Sequence, residues 1–165
     1  MLDRHEDSRP LHVAAVRLLL LTGCRESEIL TLQWRSYREG RLHLPDSKTG
    51  PRTVWLCAAA RGVLDSLPRS SGWVFPVAGL RTPWLWLDQF WRGVRVDAGL
   101  RDVRLHDTRH SYASMALLGG ESVRTVGRLL GHERASTTLK YAHMSDTTVR
   151  EAVETLSSVL SGRRA

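Results

Sequence analysis

The chain has 165 residues, and its 24 lysine and arginine residues against 17 acidic ones give a net charge of +7. This length and a hydrophobic fraction of 42% are enough to bury the core of one domain, which excludes a largely disordered chain. An isoelectric point near 10.4 is typical of nucleic-acid-binding proteins, although many basic proteins bind nothing specific. Arginine dominates over lysine, which favours forked hydrogen bonds to phosphate.

The sequence shows no signal for export or membrane insertion. Residues 1–10 are polar and charged, and the apolar run at 18–23 is too short to span a bilayer. These features predict a cytoplasmic protein that has no membrane partner. Cys24 and Cys57 lack the spacing of a metal or redox motif, so both are predicted to be reduced residues in or near the core.

The first half of the chain predicts two helices followed by a β-hairpin. Pro10 suits a first helical position, and the apolar segment after it predicts a buried helix that ends at Gly23. A second helix is expected from about Glu26. The strand-like runs 41–45 and 52–56 then flank a turn-rich segment, which predicts a hairpin with Lys48 at or near its tip.

The second half predicts helices throughout. Helical patterns are expected over 58–67, 83–99, 106–118, 121–130 and 147–160. The helix at 83–99 carries an apolar stripe that is predicted to be core, formed by Trp84, Leu87, Phe90, Trp91 and Val94. Arg92 and Arg95 lie off this stripe and are predicted to face DNA.

Six residues in four separate segments can be interpreted as one site for phosphoryl transfer. They supply two guanidinium groups, an ammonium, two imidazoles and a phenol, which together can hold a phosphodiester, neutralise its transition state and attack its phosphorus. The six candidates are Arg25, Lys48, His106, Arg109, His132 and Tyr141.

The spacing around the two arginines supports this interpretation without requiring it. His106 and Arg109 are three residues apart on a predicted helix and so share a face, but a helix often begins with an incidental basic pair. Glu28 is three residues after Arg25 and could orient its guanidinium, or the two could form a surface ion pair of little value. His110 and Tyr112 are predicted to be packing residues.

Tyr141 is the one candidate for a covalent nucleophile. It follows His132 by nine residues, in a segment that leaves its helix at Gly131. A phenol with a pKa near 10 needs neighbouring cations to favour its ionised form. A half-buried packing tyrosine is the alternative interpretation of Tyr141, and a solvated turn residue is the alternative for Lys48.

The histidines do not form a metal motif. His106 and His110 have helical spacing, yet neither an HExxH pattern nor a cysteine or carboxylate cluster accompanies them, and His132 and His143 add no such pattern. The sequence also contains no phosphate-binding glycine loop. We therefore expect neither a metal nor another cofactor.

The four segments together resemble the catalytic domain of the tyrosine site-specific recombinases, the integrase family of phages and mobile elements. LLLLTGCRESEIL (18–30) is similar to the family's first arginine box, and SKTGPRTV (47–54) to the hairpin that bears the family lysine. LHDTRHSYAS (105–114) is similar to the His-x-x-Arg box, with Thr108 where the family often has leucine. LLGHERASTTLKYAH (129–143) is similar to the box with the second histidine and the tyrosine.

This resemblance implies a role for each site residue. Tyr141 would be the nucleophile, Arg25 and Arg109 would bind the scissile phosphate, and Lys48 would be the general acid. His106 would assist proton transfer, and His132 would donate a hydrogen bond to a phosphate oxygen.

The resemblance also implies a fold and a set of partners. The expected fold is α+β and mainly α-helical, with a small antiparallel sheet whose hairpin carries Lys48. The expected partner is double-stranded DNA, on which the chain would form a tetramer at paired sites, and it would be a monomer without DNA. Residues 1–165 would be the catalytic domain alone, because the family's N-terminal DNA-clamping domain is absent, and segment 147–160 would be able to dock on a neighbouring protomer.

Three alternatives remain compatible with the residues. The same tyrosine chemistry could serve an enzyme of the type IB kind that relaxes DNA. The chain could be a non-catalytic DNA-binding fragment of a degenerate integrase. It could also be an unrelated basic helical protein, in which case the six residues would not converge.

Overall fold

The structure is a computed structural model, and it describes residues 2–45, 50–77, 80 and 83–132. The chain divides into two compact units, residues 1–112 and 113–165. The second unit is therefore described only as far as residue 132. None of the described helices is long and apolar enough to cross a membrane.

The described residues form helices and one small antiparallel sheet, which confirms the predicted α+β, mainly helical class. The helices are α1 (Pro10–Thr22), α2 (Glu26–Leu30), α3 (Ala58–Asp65), α4 (Pro83–Asp97), α5 (Asp107–Leu118) and α6 (Val123–Leu130). The strands are β1 (Tyr37–Arg38), β2 (Arg41–Leu44) and β3 (Arg52–Trp55). Short 3-10 turns occur at Leu2–His5 and Trp34–Ser36.

Helix α1 is the central element of the first unit. Pro10 occupies its first turn, and the helix ends at Gly23, whose backbone has φ of 61° and whose N–H donates to the carbonyl of Leu19 at 3.0 Å. Most of its side chains are buried, and it contacts α2, α3 and α4. The fully buried side chains around it include Val13, Val16, Leu18, Leu19, Ile29, Leu30, Leu64, Phe75 and Leu87.

The sheet has the order β1-β2-β3, and both pairings are antiparallel. Leu42 on β2 faces Val54 on β3, and both side chains are buried against the core. The predicted hairpin strands are thus confirmed, whereas the two-residue edge strand β1 was not predicted because it is too short to show an alternating pattern. Residues 46–49, which include Lys48, lie outside the described residues.

Two details of the predicted core are wrong. Trp84 is 52% exposed although it lies on the apolar stripe of α4. It is the second residue of the helix, and a side chain at a helix end can extend past the neighbouring elements that cover the middle of the helix. Leu87, Trp91 and Val94 are buried as predicted. Cys24 is buried, but Cys57 is exposed at the residue that precedes α3.

In the second unit, α6 forms where the sequence predicts a helix. Ser122 caps it by accepting a hydrogen bond from the N–H of Thr125 at 3.0 Å. Val126 and Leu130 are buried, as expected from the apolar pattern. The helix ends at Gly131, whose φ of 67° suits glycine.

A buried histidine joins α1 to α4. His12 is 9% exposed, and its ring stacks on Trp86 with the ring centroids 3.8 Å apart and lies 5.1 Å from the ring of Phe90. Burial, and then the positive charge of Arg9, lower the pKa of His12 to about 4. The imidazole is therefore neutral near pH 7.

We expect this histidine to make the fold acid-sensitive. Because its pKa is lower in the folded protein than the usual value of 6.5, the unfolded chain binds the extra proton, and stability falls as pH drops from 6.5 toward 4. His12→Phe should flatten this dependence, with a difference of about 2 kcal/mol between pH 8 and pH 5. Urea unfolding of both proteins at the two pH values measures it.

Phe90→Leu is the matched control, because it changes packing against His12 but removes no titrating group. Its loss of stability should be similar at both pH values. A His12→Phe variant with the same pH dependence as the parent protein would contradict the account.

Candidate active site

The site begins at the tight turn between α1 and α2. Gly23 ends α1, and Arg25 is already the capping residue of α2, with extended φ and ψ of −72° and 149°. Because α1 is buried along most of its length, this turn is fixed at the end of a rigid element. Arg25 is part-buried, its side chain being 19% exposed.

Glu28 holds Arg25 in place. One carboxylate oxygen of Glu28 accepts from Nη1 of Arg25 at 2.9 Å, and the other accepts from the backbone N–H of Arg25 at 2.8 Å. The second oxygen also accepts from Nη2 of Arg52 at 2.7 Å. The carboxylate of Glu28 is itself almost fully buried, with the side chain 5% exposed.

Glu28 stays ionised in this setting. Burial alone raises the pKa of a carboxyl group, but the hydrogen bonds from Arg52 and Arg25 and the positive charge of Arg52 outweigh it, so the pKa of Glu28 is lowered. A charged acceptor forms stronger hydrogen bonds than a neutral one. The predicted support role of Glu28 therefore has the required geometry, whereas a merely exposed Arg–Glu pair does not fit the burial.

Arg109 reaches the same turn from the other end of the first unit's sequence. It is 4% exposed, and its Nη1 donates to the carbonyl oxygen of Gly23 at 2.5 Å. The first turn of α5 thus brings a guanidinium to the residues beside Arg25, although 84 positions separate the two in sequence (109 − 25).

The charges around Arg109 are unbalanced. Burial, then the positive charges of Arg25 and Arg52, lower the pKa of Arg109 to about 10, and these effects exceed the opposite effect of Glu28. Arg109 remains protonated at neutral pH. An anion placed beside these guanidinium groups would be attracted by all of them.

His106 lies immediately before α5, so the prediction that it lies on the helix is wrong by one residue. The helix begins at Asp107, whose carboxylate accepts from the backbone N–H of Arg104 at 2.7 Å. His106 still lies one turn from Arg109, because its carbonyl accepts the Arg109 N–H at 3.2 Å. Its side chain is exposed.

The ring of His106 stands edge-on to His110, with the centroids 5.3 Å apart. Loss of hydration where the ring meets the protein, and then the charges of His110 and Arg109, lower the pKa of His106. This favours a neutral imidazole at neutral pH, which can accept a proton. His110 is exposed, so its prediction as a packing residue is wrong.

Of the other three catalytic candidates, only His132 lies within the described residues. His132 follows Gly131, and its backbone N–H donates to the carbonyl of Gly127 at 2.9 Å, which fixes it at the end of α6. Lys48, Tyr141 and the segment 147–160 lie outside the described residues. The roles of these residues stay predictions.

The two arginines predicted to face DNA differ in their surroundings. Arg92 is exposed and pairs with Asp88 one turn earlier on α4, at 2.7 Å. Arg95 is part-buried, and its Nη1 donates to the carbonyl of Val103 at 3.3 Å. Arg92 is therefore the more accessible of the two, and contact of either residue with DNA stays a prediction.

Arg52 is a site residue that the sequence analysis missed. It opens β3 and shares the inward side of that strand with Val54, and its side chain is only 10% exposed. The alternating pattern of RTVW (52–55) could have identified it. Arg52 lies two residues before the buried Val54, so both point to the same face of the strand, and a buried arginine needs a buried hydrogen-bond acceptor. No group of three or more potential metal ligands occurs among the described residues.

Comparison with known proteins identifies the family to which the chain is similar. The family model described as the phage integrase family matches residues 4–148. The integrase of Escherichia phage P2 is 28% identical over 137 residues, which cover 82% of this chain and 39% of that protein. A tyrosine recombinase XerC of Staphylococcus epidermidis is 41% identical over 58 residues, which cover 35% of this chain and 20% of that protein. The chain thus spans well under half the length of these relatives.

Solved structures share the fold. The XerA recombinase superposes with a TM-score of 0.73 at 23% identity, covering 99% of this chain and 61% of that one. The catalytic domain of bacteriophage HP1 integrase superposes with a TM-score of 0.69 at 25% identity, and the match covers 93% of this chain and 87% of that one. XerH bound to a palindromic difH substrate superposes with a TM-score of 0.69 at 19% identity, and the match covers 86% of this chain and 44% of that one.

The family model covers most of the chain, and the superpositions extend over nearly all of it. The arginine turn and the short sheet described above lie within the matched region. The chain belongs to the phage integrase family.

Proposed function

We propose that this chain is the catalytic domain of a site-specific DNA recombinase that cleaves and rejoins strands through a 3′-phosphotyrosyl intermediate. The observation that carries the proposal is the meeting of Arg25 and Arg109 at one turn, with Glu28 orienting the first and the Gly23 carbonyl the second. Two oriented guanidinium groups match the oxygens of a phosphodiester. Membership of the phage integrase family supports the same conclusion.

The proposed reaction is a transesterification. The hydroxyl oxygen of Tyr141 attacks the scissile phosphorus, and the bond from phosphorus to the 5′ oxygen breaks. The phenol proton leaves with the assistance of His106, and Lys48 gives a proton to the departing 5′ oxygen. A 5′-hydroxyl of another strand then attacks the phosphotyrosine, which reverses the step and regenerates Tyr141.

Positive charge is the chain's main catalytic resource in this scheme. The transition state concentrates negative charge on the phosphate oxygens, and preoriented donors stabilise that charge without reorganising. Arg25 and Arg109 are held by buried acceptors, so little side-chain entropy remains to be lost. His132 would add a hydrogen bond to a phosphate oxygen.

The proposed partner is double-stranded DNA in the cytoplasm. A net charge of +7 suits phosphate contacts, and XerH, which has the same fold, is bound to its difH substrate in a solved structure. We further propose a tetramer on paired DNA sites and a monomer without DNA. In that assembly segment 147–160 would dock on a neighbouring protomer, since its apolar stripe needs a partner surface.

Tyr141→Phe should abolish covalent attachment to DNA and leave DNA affinity nearly unchanged, because it removes a nucleophile but no phosphate-binding charge. The measurement is adduct formation on a denaturing gel with a library of nicked duplexes whose central base pairs are randomised. Tyr37→Phe is the control, because the hydroxyl of Tyr37 donates to Asp65 at 3.2 Å, away from the proposed chemistry. An adduct with the Tyr141 variant would require another nucleophile.

DNA affinity should depend strongly on salt. Each phosphate contact releases counterions, so raising salt from about 50 to 200 mM should weaken binding at least about tenfold. Fluorescence anisotropy with a labelled duplex measures this. Affinity that is tight and indifferent to salt would contradict a phosphate-based interface.

Deleting residues 147–165 should impair strand exchange more than DNA binding, since the segment is proposed to link protomers and not to contact DNA. The test compares binding with recombination of paired sites after a DNA-clamping domain of the family has been supplied. Recombination by the shortened chain at the parent rate would remove any coupling role of this segment.

A further inference from the structure

Arg52 connects two parts of the proposed site that are far apart in the sequence. It is the first residue of β3, four positions after Lys48 in the sequence, and its Nη2 donates to Glu28 on α2 at 2.7 Å. The bond therefore links the strand that follows the lysine segment to the helix that follows Arg25. The same nitrogen lies 3.5 Å from the sulfur of Cys24 in the turn itself.

Glu28 transmits this link to Arg25. The oxygen that accepts from Arg52 also accepts the backbone N–H of Arg25, and the other oxygen accepts from the Arg25 guanidinium. Arg52 therefore limits the positions that the carboxylate can take. Without it, the carboxylate could turn about its last side-chain torsion and still pair with Arg25 in another orientation.

We propose that Arg52 is a positioning residue of the recombinase, which acts through Glu28 to set the direction of the Arg25 guanidinium. This inference rests on the proposed function. It assigns Arg52 no contact with the phosphate, which distinguishes it from Arg25 and Arg109. A displacement of about 1 Å in a phosphate-binding group is enough to slow a reaction many-fold.

The burial of the pair favours positioning over mere stabilisation. Buried ion pairs are often no more stable than well-packed apolar side chains, so the presence of this one calls for a second reason. The side chains of Arg52 and Glu28 are 10% and 5% exposed, and their joint location beside Arg25 and Arg109 supplies that reason. Apolar side chains in place of Arg52 and Glu28 could not orient the guanidinium of Arg25 by hydrogen bonds.

The test uses four variants of the full chain. Arg52→Met keeps an unbranched stem without charge, and Arg52→Lys restores the charge without the fork. Glu28→Gln and the double variant with Arg52→Met complete a mutant cycle. Arg38→Met is the matched control, because Arg38 is an exposed arginine on β1 of the same sheet, and its Nε donates to the carbonyl of Arg35 at 2.8 Å.

Each variant is measured in three ways at a temperature at which it is fully folded by circular dichroism. The first is the rate of adduct formation at saturating DNA, using duplexes selected from the nicked library by the parent chain. The others are DNA affinity and melting temperature. Arg52→Met should slow adduct formation about tenfold or more while DNA affinity changes by about twofold or less.

Two further results are expected if Arg52 acts through Glu28. Arg52→Lys should recover part of the lost rate, and the double variant should be no slower than the slower single variant. The Arg38→Met control should form the adduct at the parent rate at saturating DNA. A purely stabilising role would lower the melting temperature and leave the rate of the folded protein unchanged.

The outcomes separate the two proposals. If the parent chain forms an adduct and Arg52→Met matches its rate, or if the effects of Arg52→Met and Glu28→Gln add independently, the positioning role is overturned and the proposed function stands. If the parent chain forms no adduct with any duplex, the proposed function fails, and the positioning role of Arg52 fails with it.

Discussion

The buried carboxylate of Glu28 is the interaction on which the rest of the site depends. It accepts hydrogen bonds from two guanidinium groups and one backbone N–H, and so joins α2, the turn before it and β3. A carboxylate buried to this extent without partners would be strongly unfavourable. Removing one partner from a buried ion pair typically costs about 3–5 kcal/mol, so the three elements are held in one arrangement.

The apolar core provides the frame for this carboxylate. Helix α1 is packed against α2, α3 and α4, and it ends where Gly23 adopts a left-handed conformation. Arg25 lies in the turn after it, and the carbonyl of Gly23 in the same turn accepts from Arg109. Hydrophobic burial of one helix thus sets the position of two arginines that are far apart in the sequence.

The same arrangement concentrates like charges. Burial, and then repulsion from Arg25 and Arg52, lower the pKa of Arg109, so the folded protein carries an electrostatic cost at this turn. A bound phosphodiester would offset that cost. Shifted pKa values of this kind are common at functional sites.

Local signals in the chain were sufficient to predict its helices and the hairpin strands β2 and β3. Pro10 and Gly23 bound α1, and the alternation in β2 and β3 predicts the hairpin, because capping and burial periodicity depend on neighbours within a few residues. Trp84 and His110 were predicted to be packed, and both are exposed. The position of a residue on a helix face does not show whether a neighbouring element extends far enough to cover it.

By itself the sequence determined the family resemblance, the helical class and the types of groups available for phosphoryl transfer, because these depend on residue identity and short spacing. Only the tertiary structure decided that Arg109 reaches the carbonyl of Gly23 and that Arg52 shares Glu28 with Arg25. Such contacts join residues up to 86 positions apart. They arise because apolar burial brings whole elements together, and no local pattern specifies which polar side chains then become neighbours.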